Sequence, residues 1–404
     1  MLLKASFFTY LLALCLTMSN ASPAPVEADA ESDLAPLLTK DAKDIIPNNY
    51  IVVLKEDKEV DFTDQAVRRG VKHVYKINKF RGYAGEFDME TLKKIRKDPA
   101  VAFIEPDAKL KINVETQIGA PWGLARISHR AKLTPATQDK YIYEPVGGEN
   151  VTAYVIDTGI YTQHNEFEGR ARFGASFVNE GEGDGHGHGT HVAGTIGSKT
   201  YGIAKKVKLV AVKVFNRSGE GTDSSVIAGV NWAANDSKKN PKNKSVANMS
   251  LGGPASSSLD KAVNSAVDAG LSVIIAAGNE NTNACTRSPA RATKGVCVAA
   301  SDSKDKKASF SNYGKCVHLI APGVGVLSTW NNGRTNSISG TSMATPHVAG
   351  VAAYFLSINP MEPLALREFL QKVATKSAIS GFSSDTPNNL VYNNLGAFAI
   401  SALV

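Results

Sequence analysis

Between residues 151 and 277 short apolar runs alternate with stretches of helical pattern, and this alternation restricts the fold more than any other feature of the chain. Segments 151–156, 209–215, 245–251 and 272–277 read as strands, mostly apolar in sequence. Segments 188–196, 223–235 and 258–269 carry helical spacing between them. A strand buried on both faces reads as a continuous apolar run, and strands that alternate with helices pack as a mostly parallel sheet with helices on both sides. The expected fold class is therefore α/β, in three layers. Ligands of such sheets bind beyond the carboxyl ends of the strands. Asp157, Ser250 and Asn279 stand at those ends.

The preceding part of the chain has a different pattern. Segment 50–54 reads as a strand, 61–70 as a short helix, and 73–87 as a hairpin around Gly82 and Gly85. Segment 89–97 then reads as an amphipathic helix and 100–104 as a strand. This β-α-β-β-α-β order predicts a small ferredoxin-like α+β domain over about 49–112. Lys4, the apolar stretch 7–16 and the small residues Ser19-Asn20-Ala21 read as a secretory signal peptide, 1–21. The acidic, Pro/Ala-rich stretch that follows has the composition of a disordered leader. The polar link 113–120 suits proteolytic cleavage. The expected organisation is a signal peptide, a propeptide over 22–113 and a main domain over 114–404.

Charge separates the same two parts. The chain carries 45 Lys+Arg and 38 Asp+Glu. Residues 1–113 hold 17 of each, so 114–404 hold 45−17 = 28 and 38−17 = 21 and carry the whole net charge of +7. Several of these lysines lie in one loop, 238–244, with no aromatic residues among them. That describes a solvated loop and not a nucleic-acid surface. No apolar run reaches the ~18 residues of a membrane span. Peptides and proteins, with a monomeric chain, are the partners this leaves.

Four short stretches carry chemistry. Asp157-Thr158-Gly159 follows an apolar strand, where a carboxylate can orient an imidazole. An aspartic peptidase would need two such motifs, and the chain has one. Segment 184–191, DGHGHGTH, holds three histidines, but there is no His-Glu-x-x-His and no adjacent cysteine cluster, so no metal site is expected. Its glycines suit a tight turn that brings an imidazole close to a substrate. Asn279 ends the strand run Ala276-Ala277-Gly278 with an amide that can donate to a developing oxyanion. Ser342 lies in 339–347, SGTSMATPH, at the start of a buried apolar helix, where free N–H groups and the helix dipole favour negative charge. Taken alone it could be a plain helix cap. Asp, His, Asn and Ser together supply four roles of one mechanism.

These motifs carry a resemblance. Asp157-Thr158-Gly159, the stretch HGTHVAG at 188–194 and GTSMATPH at 340–347 resemble the three signatures of subtilisin-like serine proteases. GAPWGLARISHR at 119–130, EFEGR at 166–170 and SFSNYG at 309–314 resemble the fungal proteinase K, alkaline protease and proteinase B branch. Residues 49–112 look like that family's inhibitor-type prodomain. The resemblance implies a broad-specificity endopeptidase made as a self-processed zymogen, with the prodomain as intramolecular chaperone and inhibitor. It casts Ser342 as nucleophile, His188 as general base and then acid, Asp157 as its orienter, and Asn279 with the Ser342 N–H as oxyanion hole. Substrate would pair as a strand between Gly219-Glu220-Gly221 and Ser250-Leu251-Gly252-Gly253. Ala276, Ala277 and Gly278 would line an apolar pocket.

No cofactor is implied. Where relatives carry a calcium-ligating aspartate after SNYG this chain has His318, a poor ligand for a hard cation, so structural calcium is not expected. Cys15 leaves with the signal, and Cys285, Cys297 and Cys316 remain. One bridge and one free thiol is the simplest arrangement, and spacing alone leaves three pairings open. Similarity to vacuolar proteinase B-like enzymes favours Cys285 with Cys316 and leaves Cys297 free. Sequons at Asn150, Asn216, Asn235 and Asn243 are candidate glycosylation sites, whereas Asn248 falls in a buried strand. The expected location is extracellular, with the vacuole as the alternative.

Overall fold

The computed structural model describes residues 34–39, 45–109, 114–239 and 244–393. The expected signal peptide, the 113/114 junction and the sequon asparagine Asn243 lie outside the described residues. The chain divides into two compact units, Met1–Lys111 and Ile112–Val404.

In the first unit β1 (Ile45–Leu54), α1 (Gln65–Gly70), β2 (Val71–Ile77), β3 (Phe80–Glu86), α2 (Met89–Lys97) and β4 (Val101–Ala108) form an antiparallel sheet of order β2-β3-β1-β4 with two helices. Val52, Leu54, Val67, Phe87, Leu92, Ile95 and Ile104 fill its core. Two details differ from expectation. Helix α1 begins at Gln65 because the Asp64 carboxylate accepts the Ala66 and Val67 N–H groups and caps it there. The β2–β3 hairpin turns at Asn78, in the left-handed region at φ 49°, and not at Gly82 or Gly85. A Cβ at Gly82 would strike the Val52 carbonyl and one at Gly85 the Gly70 carbonyl. Those glycines allow close backbone approach within the domain.

The second unit opens with a ribbon of β5 (Glu115–Ile118) and β6 (Lys140–Tyr143) around α3 (Trp122–Ile127). The strands that follow are β7 (Thr152–Asp157), β8 (Ala171–Ser176), β9 (Lys208–Lys213), β10 (Ser245–Met249), β11 (Ser272–Ala276), β12 (Val296–Ser301) and β13 (Leu319–Pro322). Between and after them come α4 (His188–Gly197), α5 (Asp223–Ser237) and α6 (Ser257–Asp268), the hairpin β14 (Val326–Thr329) and β15 (Thr335–Ile338), α7 (Thr341–Ile358) and α8 (Pro363–Val373), and the short β16 (Thr375–Lys376) and β17 (Asn389–Leu390). One nine-stranded sheet has the order β16-β17-β13-β12-β11-β10-β7-β9-β8 and is parallel except at β16–β17.

Period-two alternation sends successive side chains to opposite faces of this sheet. Ala153, Val155, Leu209, Ala211, Val246 and Ile274 pack with α4 and α7. Tyr154, Ile156, Val210, Val212, Ala247 and Ile275 pack with α5 and α6. Helix α7 is buried almost all round, from Met343 to Leu356, as an apolar helix without a polar face must be.

A buried ion pair anchors α3. Arg126 and Asp305 are 1% and 3% exposed, with Nε–Oδ1 at 2.7 Å and Nη2–Oδ2 at 3.2 Å. Arg126→Met leaves Asp305 buried and unpaired and is expected to cost about 3–5 kcal/mol. Adding Asp305→Asn, which keeps a residue tolerant of the φ of 59° there, is expected to restore part of the loss. Denaturant titration of the two variants checks this, and equal stability of both would contradict it.

Candidate active site

The site is assembled from the carboxyl ends of β7, β10 and β11 and the amino ends of α4 and α7. Asp157, the last residue of β7, is fully buried, and its Oδ1 accepts the Thr158 N–H at 2.7 Å. His188 opens α4 and is 22% exposed at its side chain. Its Nδ1 lies 2.8 Å from Asp157 Oδ1 and 3.0 Å from Oδ2. That bond leaves Nε2 as the free ring nitrogen. Gly189 allows the approach, because a Cβ there would strike the Gly159 carbonyl and crowd Asp157. Burial works against protonation of His188, but the Asp157 charge and hydrogen bond, with Asp184 behind them, outweigh it and raise the imidazole above its ordinary range.

Asp184 was not singled out by sequence reasoning, although it lies in the same histidine-rich motif. Its Oδ1 accepts from Thr158 Oγ1, His186 N and Gly187 N, and its Oδ2 from Thr190 N and Oγ1, all within 3.0 Å. One buried carboxylate thus ties the turn after Asp157 to the turn that presents His188. Lys213, 1% exposed, braces the same turn by donating to the Thr158 carbonyl at 2.7 Å. His191 packs behind the site, with Nε2 on the Val326 carbonyl at 2.9 Å.

Ser342 is the second residue of α7, where a backbone N–H has no intrahelical partner. Its cap is Gly340 with no side-chain hydrogen bond, so no Ser or Thr serves as N-cap here. Ser342 Oγ donates to the Ser250 carbonyl at 3.2 Å. Asn279 Oδ1 accepts from Thr341 N at 2.8 Å and Thr341 Oγ1 at 2.9 Å, which turns the amide nitrogen the other way. A Cβ built on Gly340 would lie 3.6 Å from Ser342 N and 3.7 Å from Asn279 Nδ2. The two nitrogens therefore lie close to one point beside Ser342.

The expected pocket residues follow β11. Ala276 and Ala277 are buried, and Gly278 takes φ 102°. Asn312 pins them: its Nδ2 donates to the Ala277 carbonyl at 2.8 Å and its N–H to the Gly278 carbonyl at 3.0 Å. Glu280 next to them is bonded to Arg287 at 3.0 Å and to Asn312 at 2.7 Å, so its charge is already matched. Ser250 and Leu251 are buried, while Gly252 is exposed and Gly253 bridges Ser288. Gly219, Glu220 and Gly221 form an exposed turn closed by Asn216, whose Oδ1 accepts from Ser218 N and Glu220 N.

Residues 148–392 match the Subtilase family model, and 49–113 match Peptidase inhibitor I9. The chain belongs to the subtilase family. It is 46% identical to the cuticle-degrading protease of Metarhizium anisopliae over 95% of this chain and 99% of that one. It is 46% identical to a subtilase-type proteinase of Schizosaccharomyces pombe over 87% and 84% of the two chains. Among solved structures, a cold adapted subtilisin-like serine proteinase matches with a TM-score of 0.64 and 48% identity, over 68% of this chain and 98% of that one. The subtilase domain is a serine endopeptidase, and the I9 unit marks it as a zymogen.

Within the subtilase domain Cys285 and Cys316 are joined, with Cα atoms 5.4 Å apart, and Cys297 is buried in β12 with its thiol pushed up to about 12 by burial. His318 Nδ1 accepts the Cys297 N–H at 3.1 Å, so this imidazole has a structural partner. Among the described residues no group of three or more His, Cys, Asp or Glu is placed to hold a metal. Asn150 and Asn235 are exposed, Asn216 is half-buried and Asn248 is fully buried.

Asn279→Ala is expected to lower kcat by roughly 10²–10³ with little change in KM, the scale known for the corresponding donor of subtilisin, a member of the same family. Steady-state kinetics on a chromogenic peptide check it.

Proposed function

We propose that this chain is an exported, broad-specificity endopeptidase that cleaves peptide bonds through an acyl-enzyme on Ser342. The observation that carries the reading is the bonded Asp157–His188 pair together with two donor groups, Asn279 Nδ2 and Ser342 N, close to one point at the start of α7. Ser342 Oγ rotates from the Ser250 carbonyl toward His188 Nε2 when substrate is seated. His188 accepts the hydroxyl proton as Oγ adds to the scissile carbonyl. Asp157 holds the imidazole and stabilises its protonated form. The two donors stabilise the oxyanion. His188 then passes the proton to the leaving amine, and water cleaves the ester by the same steps in reverse.

Small, buried Ala276 and Ala277, and a Glu280 already paired, favour a large apolar side chain before the scissile bond. Gly219, Glu220 and Gly221 on one side and Ser250 to Gly253 on the other are the edges on which substrate backbone pairs. The I9 unit acts as an intramolecular inhibitor until it is removed near residue 113. Secretion is supported by the amino-terminal signal pattern. The vacuole is the alternative, on the Cys285/Cys316 placement. Calcium takes no part in the reading, because His318 offers a hard cation nothing it prefers.

Expression of the full chain in a secreting fungal host tests this. The expected result is casein-degrading activity in the medium, an N-terminus near residue 114, and cleavage after many different large apolar residues in a peptide library. Retention of a tagged protein in the vacuole would replace secretion, and a strict preference for a charged residue would overturn the pocket assignment.

A further inference from the structure

An α-helix ordinarily satisfies the carbonyl of residue i with the N–H of residue i+4. For Ser342 that donor would be residue 346, which is Pro346 and has no N–H. The carbonyl of the nucleophile is therefore released from its own helix. Ser250 Oγ takes the vacant acceptor, donating to the Ser342 carbonyl at 2.8 Å. Asn248 Nδ2 in turn donates to Ser250 Oγ at 2.8 Å, and this commits the hydroxyl proton to the Ser342 carbonyl. Asn248 is fully buried in the middle strand β10, with its Oδ1 unpartnered among the described residues. A polar side chain kept at the cost of an unmet acceptor needs a reason. Ser250 contacts Ser342 a second time, since its own carbonyl accepts from Ser342 Oγ at 3.2 Å.

We propose that the Ser250 hydroxyl, oriented by Asn248, is a positioning device that clamps the backbone of Ser342 in the gap opened by Pro346. The clamp rests on the reading of Ser342 as nucleophile. The segment that pairs with substrate through its backbone thereby also fixes the reacting serine through a side chain. Two edges of the site, the end of β10 and the start of α7, are held at a set separation across the sheet. Removing the hydroxyl leaves the Ser342 carbonyl without a donor and frees the first turn of α7 to shift. Small displacements of an attacking group lower the chemical step far more than they lower substrate affinity.

The test is a cycle of Ser250→Ala, Asn248→Ala, Pro346→Ala and the double variant Ser250→Ala/Pro346→Ala, each produced as the full chain and assayed after maturation. Ser250→Ala is expected to lower kcat and the rate of labelling by a small fluorophosphonate together, by roughly 10- to 100-fold, with KM nearly unchanged. Asn248→Ala, which keeps the hydroxyl but not its orientation, is expected to show a smaller loss of the same kind. Pro346→Ala restores an N–H at the position that bonds the Ser342 carbonyl, so the double variant is expected to recover about tenfold over Ser250→Ala. Wild-type kcat in Ser250→Ala overturns the proposal, as does a change confined to KM, which would mean that only substrate pairing was disturbed. No recovery in the double variant also overturns it. If Ser250→Ala does not mature, Asn248→Ala decides, and a wild-type labelling rate there rejects the clamp. Ser342→Ala run alongside separates the two claims: activity surviving in it removes the nucleophile assignment itself.

Discussion

Replacing Ser342 by alanine is expected to lower kcat on a peptide substrate by roughly a million-fold, the scale measured for the triad serine of subtilisin, a member of the same family. Without Oγ no ester can form, and the bonded Asp157–His188 pair has no nucleophile to activate. Because the triad acts as a unit, His188→Ala should cost about as much, and the double variant little more than either alone. In the proposed mechanism the residual rate comes from the Asn279 and Ser342 N donors. The same variant should keep its amino-terminal unit, since self-processing uses the same chemistry. Casein assays with N-terminal sequencing of both proteins check the two expectations together. A variant that is processed and still cleaves casein would place the activity elsewhere.

The second large effect is loss of stability in mild acid. Three histidines of the subtilase domain are held near pKa 4 by burial: His191, His318 and His347. The geometry explains why each must stay neutral. His347 donates from Nδ1 to the Met343 carbonyl at 2.8 Å, and its buried Nε2, next to the Gly123 backbone, has no partner among the described residues. His191 Nδ1 is likewise buried without a partner among the described residues. His318 Nδ1 must remain an acceptor to receive the Cys297 N–H. In the unfolded chain all three titrate near 6.5. Between pH 6.5 and 4 the unfolded chain therefore binds more protons, and stability falls as pH is lowered through that window. The fully buried His191 and His347 are each worth on the order of 3 kcal/mol by pH 4. His188 has a raised pKa and contributes in the opposite direction, as one group against three. Denaturant titrations of the fluorophosphonate-inactivated mature enzyme at pH 7.5, 6 and 4.5 measure this. A midpoint that does not move would refute it, and His347→Gln should flatten the slope.

Much of this was legible beforehand, and particular residues show why. Short apolar runs alternating with helical stretches read as strands buried on both faces, so the parallel sheet followed from the pattern at 151–156, 209–215, 245–251 and 272–277. Their ends placed Asp157, Ser250 and Asn279 on one edge before any distance was known. The hairpin was placed on the wrong residues because glycine signals both turns and close approach, and only the neighbouring Val52 carbonyl distinguishes them at Gly82. Asp184 was overlooked because four of its five bonds run to 186–190 and look like an ordinary turn and helix start, while the one that ties it to the site comes from Thr158, 26 residues away.

By itself the sequence determined the α/β alternation of the main part, the small α+β pattern before it, and the residue types available for chemistry. These depend on periodicity and residue type, which are local properties. Only the tertiary structure decided that Oδ1 and not Nδ2 of Asn279 meets Thr341, and so where its amide points. It alone showed that Pro346 releases the Ser342 carbonyl to Ser250, and that Arg126 reaches Asp305 across 179 residues of chain. Hydrogen bonds are short and directional, and their partners here lie far apart in sequence. Folding brings them within 3 Å, and no local pattern records which of the many possible partners it will be.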